Sequence, residues 1–457
     1  MNAERRRVLI VGAGAAGRSL AASIDDAEFL GFLDDVVTGD DVLGTLAQAA
    51  AVIQAHRANI LYLAIPSIDA RSLRELVNSV ASDQLEIALI PRTYRTLAKD
   101  AVTIGDLTDV DVLDLVGRQP VKHDLLESRD FIAGERILVT GSAGSIGSTL
   151  VRQIAAMQPD RVMCVDWWEN GMFFLGQQVG ADSRISLQIA DVKNDARLRQ
   201  LFDEFRPTVV FHAAAYKHVP LMQNNPVEAI NNNIGGSVNV MRHAVRVGAK
   251  AVVYVSTDKA VNPVNVMGAT KRIGEIAMSA IAEDSAGTSL TAVRFGNVIE
   301  SNGSVMQIFR DQLTKRRPLT VTHPEVTRFF MTLDEAAQLV IQSAFIGSSG
   351  DIFVLDMGEP VRIMELAMSL ERLFAPGAGI EIIGMRPGEK MYEELSYEPD
   401  KISDTRNSKI FKVTDAVVAD PRDFMRRIEP FLAANRSNEL SAQEAIDGLR
   451  ALGFAIQ

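Results

Sequence analysis

The sequence predicts two α/β domains in tandem, each built on a doubly wound parallel sheet. Two segments, residues 8–17 and 137–147, open in the same way, with an apolar run, a glycine-rich turn and an amphipathic helical pattern. This order is typical of the start of a βαβ unit. A chain of 457 residues is long enough for two or three domains that each bury a core.

The first domain is expected to span residues 1–117. Its later strand candidates, 60–65 and 87–90, are each followed by a proline, which cannot continue a central strand. We interpret residues 118–134, which have mixed charges, as a connector, and expect the second domain at 135–457. The strand candidates of the second domain, separated by helical patterns, are 161–165, 209–212, 251–256 and 290–294.

Composition narrows the class of protein. The formal net charge of −11 argues against nucleic acid as a partner, because phosphate binding favours a basic surface. A single cysteine, Cys164, cannot form an internal disulfide, which fits a reducing cytoplasm. No stretch approaches the roughly 20 apolar residues that span a bilayer. We therefore expect a soluble, cytoplasmic protein, and we assign no metal ligands.

The second glycine-rich turn predicts a Rossmann-like dinucleotide site. Gly141, Gly144 and Gly147 allow a tight turn, close approach of a pyrophosphate and close helix packing, and the helix N-terminus offers N–H groups to phosphate. Asp166 ends the next strand, near the usual position for a carboxylate on the adenosine ribose. Such a carboxylate repels a 2′-phosphate, so NAD is expected rather than NADP. The alternative for Asp166 is a helix N-cap. The other cofactor candidates are Ser142, Ser145, Ile146, Asp191, Val192, Ala213, Ala214 and Ala215.

The first domain carries a similar loop, formed by Gly12, Gly14 and Gly17, with Asp34 and Asp35 farther on. No set of catalytic residue types follows it. We interpret this domain either as a nucleotide-binding or sensing module or as a packing domain.

A candidate catalytic set follows one strand candidate of the second domain. Thr257, Asp258 and Lys259 lie at the strand end, where ligands bind in open α/β sheets. Farther on, Met267 and Lys271 are spaced i and i+4 on one helix face. This segment resembles the Tyr-x-x-x-Lys segment of short-chain dehydrogenases, but methionine cannot exchange a proton. The triplet offers a replacement, since water elimination beside a ketone needs an acid and a base. The alternative is a capped turn with a surface ion pair.

Longer segments resemble the large UDP-N-acetylglucosamine 4,6-dehydratases, which are extended short-chain dehydrogenases of bacterial polysaccharide and glycan biosynthesis, often called CapD-like proteins. The resemblance runs from the first domain to beyond residue 400, and methionine in place of tyrosine is the pattern of the large members. Members usually carry four membrane helices ahead of the first domain, and this sequence shows none, so we expect a soluble form without them. The most specific segments are 214–220, 256–271, 294–298, 328–332 and 384–390.

The resemblance implies a reaction. NAD accepts the C4 hydride of the sugar, Lys259 removes the C5 proton, Asp258 protonates the departing C6 hydroxyl, and the hydride returns to C6 while a proton returns to C5. Thr257 would hydrogen-bond the C4 oxygen, and Lys271 would hold the nicotinamide ribose. The product would be a UDP-4-keto-6-deoxy-N-acetylhexosamine with the C5 configuration retained. The resemblance also implies a homo-oligomer.

Substrate-binding residues follow from the same resemblance. Residues 135–296 are expected to hold NAD, and 297–457 to form a smaller C-terminal part that binds the UDP-amino sugar. Asn297 matches a position that contacts the sugar diphosphate. Arg386 precedes a Pro-Gly turn and is expected to clamp the diphosphate, since a guanidinium binds phosphate in a bidentate manner. Glu389 is expected near the uridine ribose. Weaker candidates are Lys217, Arg328 and His218, the last with a structural role as its alternative.

Two departures and two other functions stay open. Trp167 and Trp168 follow Asp166 where the family favours a small polar residue, and Glu300 stands where glycine is usual. The first alternative function is an NAD-dependent nucleotide-sugar epimerase, which does not need the Asp258–Lys259 acid and base. The second is a non-catalytic nucleotide-sugar sensor.

Overall fold

The computed structural model describes residues 5–80, 82, 84–90, 107–118, 126–397, 401–414, 418, 420–437 and 439–457. The chain forms two compact units, and each is assembled from separate stretches of sequence. The first comprises Met1–Gln119, Ile308–Val326 and Val361–Gly384, and the second comprises Pro120–Gln307, Thr327–Pro360 and Met385–Gln457.

Strands alternate with helices along most of the described chain, as expected for an α/β protein. The strands are β1 (Arg7–Val11), β2 (Glu28–Leu33), β3 (Val42–Gly44), β4 (Ile60–Leu63), β5 (Glu86–Leu89), β6 (Thr108–Asp109), β7 (Arg136–Thr140), β8 (Arg161–Asp166), β9 (Ile185–Ile189), β10 (Val209–His212), β11 (Ala251–Val255), β12 (Ser289–Arg294), β13 (Asn297–Val298), β14 (Leu319–Val321), β15 (Thr327–Arg328), β16 (Phe330–Met331), β17 (Ile352–Leu355), β18 (Val361–Arg362), β19 (Ile380–Ile382), β20 (Ile402–Asp404) and β21 (Ile410–Val413).

The helices range from one or two turns to the five-turn helix that carries the candidate lysine. They are α1 (Ala15–Ala22), α2 (Ala49–His56), α3 (Ala70–Val80), α4 (Val112–Val116), α5 (Leu126–Ile132), α6 (Ser145–Ala155), α7 (Glu169–Val179), α8 (Asp195–Phe205), α9 (Val219–Asn224), α10 (Pro226–Ile230), α11 (Ser237–Arg246), α12 (Val266–Asp284), α13 (Val305–Thr314), α14 (Leu333–Ile346), α15 (Ile363–Phe374), α16 (Pro421–Arg436) and α17 (Ala442–Ala451).

The first unit contains a six-stranded sheet in the order β3-β2-β1-β4-β5-β6. Its first five strands are parallel, and the short β6 pairs antiparallel with β5. The two strand candidates at 60–65 and 87–90 are confirmed as β4 and β5. The central strand β1 is buried from residue 8 to residue 11, which explains its continuous apolar run.

Two later stretches of sequence complete the first unit. β14 and β19 form a parallel pair, and α15 packs against α3. At this helix contact the Ser369 hydroxyl donates to Asn78 Oδ1 over 3.1 Å, and Arg74 Nε lies 3.8 Å from Glu365 Oε2. A helix from far along the chain therefore packs against the helix α3 of the amino-terminal stretch.

The second unit contains a nine-stranded sheet in the order β20-β21-β17-β12-β11-β10-β7-β8-β9. The strands from β17 to β9 are parallel, and β21 and β20 add an antiparallel edge. All four predicted strands of this domain are confirmed as β8, β10, β11 and β12. From β7 the chain moves outward to β8 on one side and to β10 on the other. This reversal makes a crevice at the carboxyl ends of β7 and β10, where open α/β sheets bind ligands.

The predicted connector at 118–134 contains the helix α5, whereas residues 119–125 lie outside the described part of the chain. Among the helices that the structure does describe, none combines the length and the apolar character that a membrane crossing would require.

Candidate active site

The glycine turn between β7 and α6 tolerates no side chain at two of its three glycines. Gly141 has φ +67°, and a Cβ there would lie 2.5 Å from the backbone nitrogen of Ala214. A Cβ on Gly147 would lie 2.0 Å from the carbonyl oxygen of Gly141. Gly144 is the N-cap of α6 and has no capping side chain. The turn therefore presents bare backbone and a helix N-terminus at the crevice, which suits a pyrophosphate.

Asp166 braces this turn from the end of β8. Its Oδ2 accepts from the backbone N–H of Ala143 over 3.0 Å, and its Oδ1 accepts from the N–H of Trp168 over 3.0 Å. The N-cap residue of α7 is Trp168, and no side chain caps that helix, so the N-cap interpretation of Asp166 is wrong. Each carboxylate oxygen keeps a further lone pair for a ribose hydroxyl.

Most of the other cofactor candidates have side chains that are not fully buried. Ala213, Ala214 and Ala215 are half-buried beside Gly141, so they line the crevice. Ile146 is half-buried in the first turn of α6, and the Ser145 hydroxyl accepts from the backbone N–H of Asn302 over 3.0 Å. Asp191 accepts from the backbone N–H of Lys193 over 2.8 Å.

Two candidates turn their side chains inward. Ser142 is fully buried and donates to the sulfur of Met172, and Val192 is buried beside Gly236. Only their backbone atoms remain available to a ligand.

The triplet after β11 forms a buried cluster. The Thr257 hydroxyl donates to Asp258 Oδ1 over 2.8 Å, and Lys259 Nζ lies 3.1 Å from the same oxygen. Lys259 Nζ also lies 3.5 Å from Asn297 Oδ1. The Asp258 side chain is 1% exposed and that of Lys259 is 21% exposed. The alternative interpretation is confirmed in one part, since Thr257 caps the turn by accepting from the N–H of Lys259 over 3.4 Å, but it is wrong in placing the ion pair on the surface.

Burial and neighbouring charges set the ionisation of this pair. Burial raises the pKa of the Asp258 carboxyl, although Lys259 acts against it. Burial by itself would lower the pKa of Lys259, but the carboxylates of Asp258 and Glu393 outweigh it and raise that pKa above its ordinary value. The pKa of each group is thus raised, which shifts Asp258 towards its protonated form and Lys259 towards the ammonium.

Helix α12 brings Met267 and Lys271 to the same edge of the sheet. Asn265 caps the helix by accepting from the N–H of Gly268 over 2.7 Å. Lys271 is 4% exposed, and its Nζ donates to the carbonyl oxygen of Val255, at the end of β11, over 2.6 Å. Burial lowers the pKa of Lys271 to about 7. Met267 is buried one helical turn earlier.

A buried ionic network, which the sequence analysis did not predict, contacts the start of the loop that carries Thr257, Asp258 and Lys259. Glu275 accepts from the Ser256 hydroxyl over 2.7 Å and binds the Arg294 guanidinium through two contacts of 2.8 Å. Burial raises the pKa of Glu275, but Arg294 and Arg272 outweigh it and lower the pKa to about 2. This network fixes Ser256, the residue before Thr257. The only signal in the sequence is that Glu275 lies four residues after Lys271, on the same helix face.

Two of the substrate candidates pair with each other. Arg328 Nη2 donates to Glu389 Oε1 over 2.8 Å, and the Arg328 side chain is 8% exposed. Glu389 Oε2 also accepts from the backbone N–H of Arg386 over 3.3 Å. The segment 386–389 is thus tied to Arg328, while the Arg386 residue itself is exposed.

The remaining substrate candidates, and the glutamate found where glycine is usual, are exposed to solvent. Lys217 and His218 are exposed, and the His218 ring packs against Gly303. Glu300 is exposed with φ +63°, in the left-handed region that favours glycine. Backbone conformation therefore explains why glycine is usual at that position.

Glu393 joins the cluster although the sequence did not single it out. Its Oε1 lies 3.2 Å from Lys259 Nζ and 3.9 Å from Arg328 Nε. The structure thus brings together Thr257, Asp258, Lys259, Asn297, Arg328, Glu389 and Glu393. In the described part of the chain, no group of three or more His, Cys, Asp or Glu side chains is arranged to hold a metal ion.

Comparison with known proteins agrees with this architecture. The family described as "Polysaccharide biosynthesis protein" matches residues 137–415. The capsular polysaccharide biosynthesis protein CapD of Staphylococcus aureus is 40% identical over 413 residues, which cover 86% of this chain and 69% of CapD.

Solved structures share the fold of the second unit. Pen from Bacillus thuringiensis has a TM-score of 0.58 and 32% identity, over 62% of this chain and 90% of Pen. A UDP-glucose 4-epimerase of Thermus thermophilus, solved as a complex with NAD, has a TM-score of 0.52 and 23% identity, over 57% of this chain and 90% of that one. The fold is thus that of short-chain dehydrogenase-type enzymes, and the chain belongs to the polysaccharide biosynthesis protein family.

Proposed function

We propose that this protein is an NAD-dependent UDP-N-acetylglucosamine 4,6-dehydratase that makes a UDP-4-keto-6-deoxy-N-acetylhexosamine. The observation that carries this proposal is the buried contact between Asp258 and Lys259 at the carboxyl edge of the sheet. Elimination of water needs an acid at the leaving oxygen and a base at the neighbouring carbon. A 4-epimerase needs neither group, so the pair favours dehydration.

NAD fits the crevice next to this pair. A Cβ at Gly141 or Gly147 would collide with neighbouring backbone, so glycine preserves the turn that would hold a pyrophosphate, and Asp166 offers a carboxylate to the adenosine ribose. Lys271 would hold the nicotinamide ribose, and Ala213 and Ala214 would line the flat face of the cofactor. When bound, NAD supplies the hydride acceptor and donor.

Asp258 is suited to act as the acid. Its Oδ1 accepts from Thr257 and Lys259, whereas Oδ2 is buried and has no hydrogen-bond partner among the described residues. Burial favours the neutral form, which carries a proton that it can give to the C6 hydroxyl as this group leaves.

Lys259 is suited to act as the base once its amine has lost a proton. The ammonium is favoured in the protein without substrate because carboxylates flank it. The amine lies one residue from Asp258, so the two groups can serve C5 and C6 of one sugar. Met267 cannot exchange a proton, which leaves this chemistry to the triplet.

A UDP-linked amino sugar is the substrate that the surrounding charges suit. Arg386 would bind the diphosphate and Asn297 would contact it, while Glu389, held by Arg328, would meet the uridine ribose. Lys217 and His218, which are exposed, would be weaker contacts to the same substrate. Retention of the C5 configuration and assembly into a homo-oligomer are parts of the same proposal.

The direct test is product analysis. Purified protein incubated with NAD and UDP-N-acetylglucosamine should release a product that has lost one water, which mass spectrometry detects, and NMR should show a 4-ketone and a C6 methyl group. Conversion to the C4 epimer without loss of water would instead establish the epimerase. Binding of NAD and UDP-sugar without any turnover would establish a sensor.

A further inference from the structure

Glu393 is a buried carboxylate that the proposed reaction has not yet used. Its side chain is 3% exposed, and one oxygen contacts Lys259 and Arg328. The other oxygen, Oε2, is buried and has no hydrogen-bond partner among the described residues. A charge buried this deeply is costly unless nearby cations compensate it.

The Lys259 amine lies between three acceptors. Asp258 Oδ1 is 3.1 Å away, Glu393 Oε1 is 3.2 Å away and Asn297 Oδ1 is 3.5 Å away. The amine donates hydrogen bonds to Asp258 and Asn297, and it forms an ion pair with Glu393. Glu393 approaches from a different segment of the chain than Asp258, and it therefore fixes the direction of the amine.

The two cations of the cluster, Lys259 and Arg328, each have a carboxylate partner of their own. Arg328 is paired with Glu389, and Lys259 is paired with Glu393. Burial raises the pKa of Glu393, but Lys259 and Arg328 outweigh it and lower that pKa, whereas the pKa of Asp258 is raised. Glu393 thus stays charged, and Asp258 is the carboxyl that can remain neutral. Lys217 is a further charged group close to Lys259, and Lys390 is one close to Glu393.

We propose that Glu393 is a positioning residue for Lys259, whose carboxylate holds the amine beside Asp258 and sets the pH at which that amine becomes a base. This inference rests on the proposed function, in which Lys259 takes the C5 proton. Glu393 does not touch the sugar in this scheme and acts through Lys259.

The test is the pH dependence of Lys259 in Glu393→Gln. An amide keeps the shape and the acceptor oxygen but removes the negative charge, so the pKa of Lys259 should fall. Acetic anhydride reacts only with neutral amines, and mass spectrometry reports acetylation of Lys259 separately from other lysines. We expect the midpoint of labelling to shift to lower pH by about one unit, a tenfold rise in the neutral fraction below the midpoint.

Two further variants control this measurement. Glu394→Gln makes the same change at a neighbouring, more exposed carboxylate that pairs with Lys390, and its Lys259 midpoint should equal that of the wild type. Glu393→Asp keeps the charge on a shorter side chain, so it should restore a midpoint close to the wild type. An unchanged midpoint in Glu393→Gln would overturn the inference.

Turnover gives a second and separate readout. The negative charge of Glu393 raises the pKa of both Lys259 and Asp258, so the whole pH–rate profile of dehydration should shift to lower pH in Glu393→Gln. If the wild type dehydrates no UDP-amino sugar while the labelling midpoint still shifts, the proposed function fails and the pairing of Glu393 with Lys259 stands. If the wild type turns over and neither readout shifts, the role of Glu393 fails alone.

Discussion

The two glycine-rich turns of this protein are built in the same way but have different surroundings. In the first unit the N–H of Ala13 donates to Asp34 Oδ2 over 2.7 Å, and in the second the N–H of Ala143 donates to Asp166 Oδ2 over 3.0 Å. In both, a carboxylate from the end of the next strand locks the turn. This brace is therefore a feature of the fold, and it does not by itself indicate a dinucleotide.

The third glycine is also equivalent in the two turns. A Cβ on Gly17 would lie 1.8 Å from the carbonyl oxygen of Gly12, and a Cβ on Gly147 would lie 2.0 Å from that of Gly141. In each case glycine lets the helix start directly against the strand end. Close packing of the helix against the strand end is thus sufficient to explain the third glycine of the first turn.

The two glycine turns differ in the residues that surround them. Beside the second turn, strand β11 ends in the buried pair of Asp258 and Lys259, and Lys271 contacts the same strand end. In the first unit, Asp34 Oδ1 accepts from the backbone N–H groups of Val36 and Val37, each 2.8 Å away, whereas Asp166 Oδ1 accepts from one N–H group, that of Trp168. Neighbouring strand ends, rather than the glycine loop, make one of these two similar units a candidate active site.

The largest expected effect is the loss of dehydration activity when Lys259, which has no counterpart among the described residues of the first unit, is replaced. Lys259→Ala should reduce dehydration by about 10²–10⁴-fold, because general-base catalysis contributes about that much. The Kd for NAD, measured by calorimetry, should stay close to the wild-type value. Lys250→Ala, at the opposite end of the same strand, is the matched control and should retain activity. Full activity in Lys259→Ala would remove this residue from the role of base.

A smaller effect, on NAD binding, distinguishes the two glycine turns directly. Gly147→Ala should raise the Kd for NAD by about tenfold or more, since the added methyl displaces the turn that would hold the pyrophosphate. Gly17→Ala introduces the same clash in the first unit and should leave NAD binding unchanged. Circular dichroism would confirm that both variants fold. Loss of NAD binding in Gly17→Ala alone would show that the cofactor occupies the first turn.

The smallest effect concerns stability. Burial raises the pKa of Asp34, but the N–H groups of Val37, Ala13 and Val36 outweigh it and hold the pKa below its ordinary value. A carboxylate with a lowered folded-state pKa stabilises the protein above its unfolded-state pKa of about 4, and this contribution is lost as the pH falls. Asp34→Asn should therefore cost about 1 kcal/mol at neutral pH and less in acid.

Hydrogen exchange of the β1 and β2 amides, followed by mass spectrometry, measures this change within the first unit. Asp40→Asn alters an exposed carboxylate nearby and should leave the exchange rates unchanged. Equal exchange in Asp34→Asn and wild type at neutral pH would contradict the structural role given to this brace.

Local patterns in the sequence were sufficient for a large part of this description. The predicted strands at 161–165, 209–212, 251–256 and 290–294 are confirmed with shifts of one residue at most. They were predictable because a parallel strand covered on both faces is a continuous apolar run. The positions of Gly141, Asp166 and Lys271 followed from spacing within single βαβ units.

Contacts between distant segments were beyond the reach of such patterns. Glu393 contacts Lys259 across a long stretch of sequence, and Arg294 on β12 contacts Glu275 on α12, and no periodicity connects either pair. The same holds for α15, which completes the first unit although it lies far along the chain.

The sequence by itself determined which strands form, where the glycine turns lie and which residue types could carry acid and base chemistry, because each of these depends on neighbouring residues. Only the tertiary structure decided that Asp258 and Lys259 are buried together with a second carboxylate. Burial and charge pairing depend on which distant segments fold against a strand end, and these set the protonation that the proposed reaction needs.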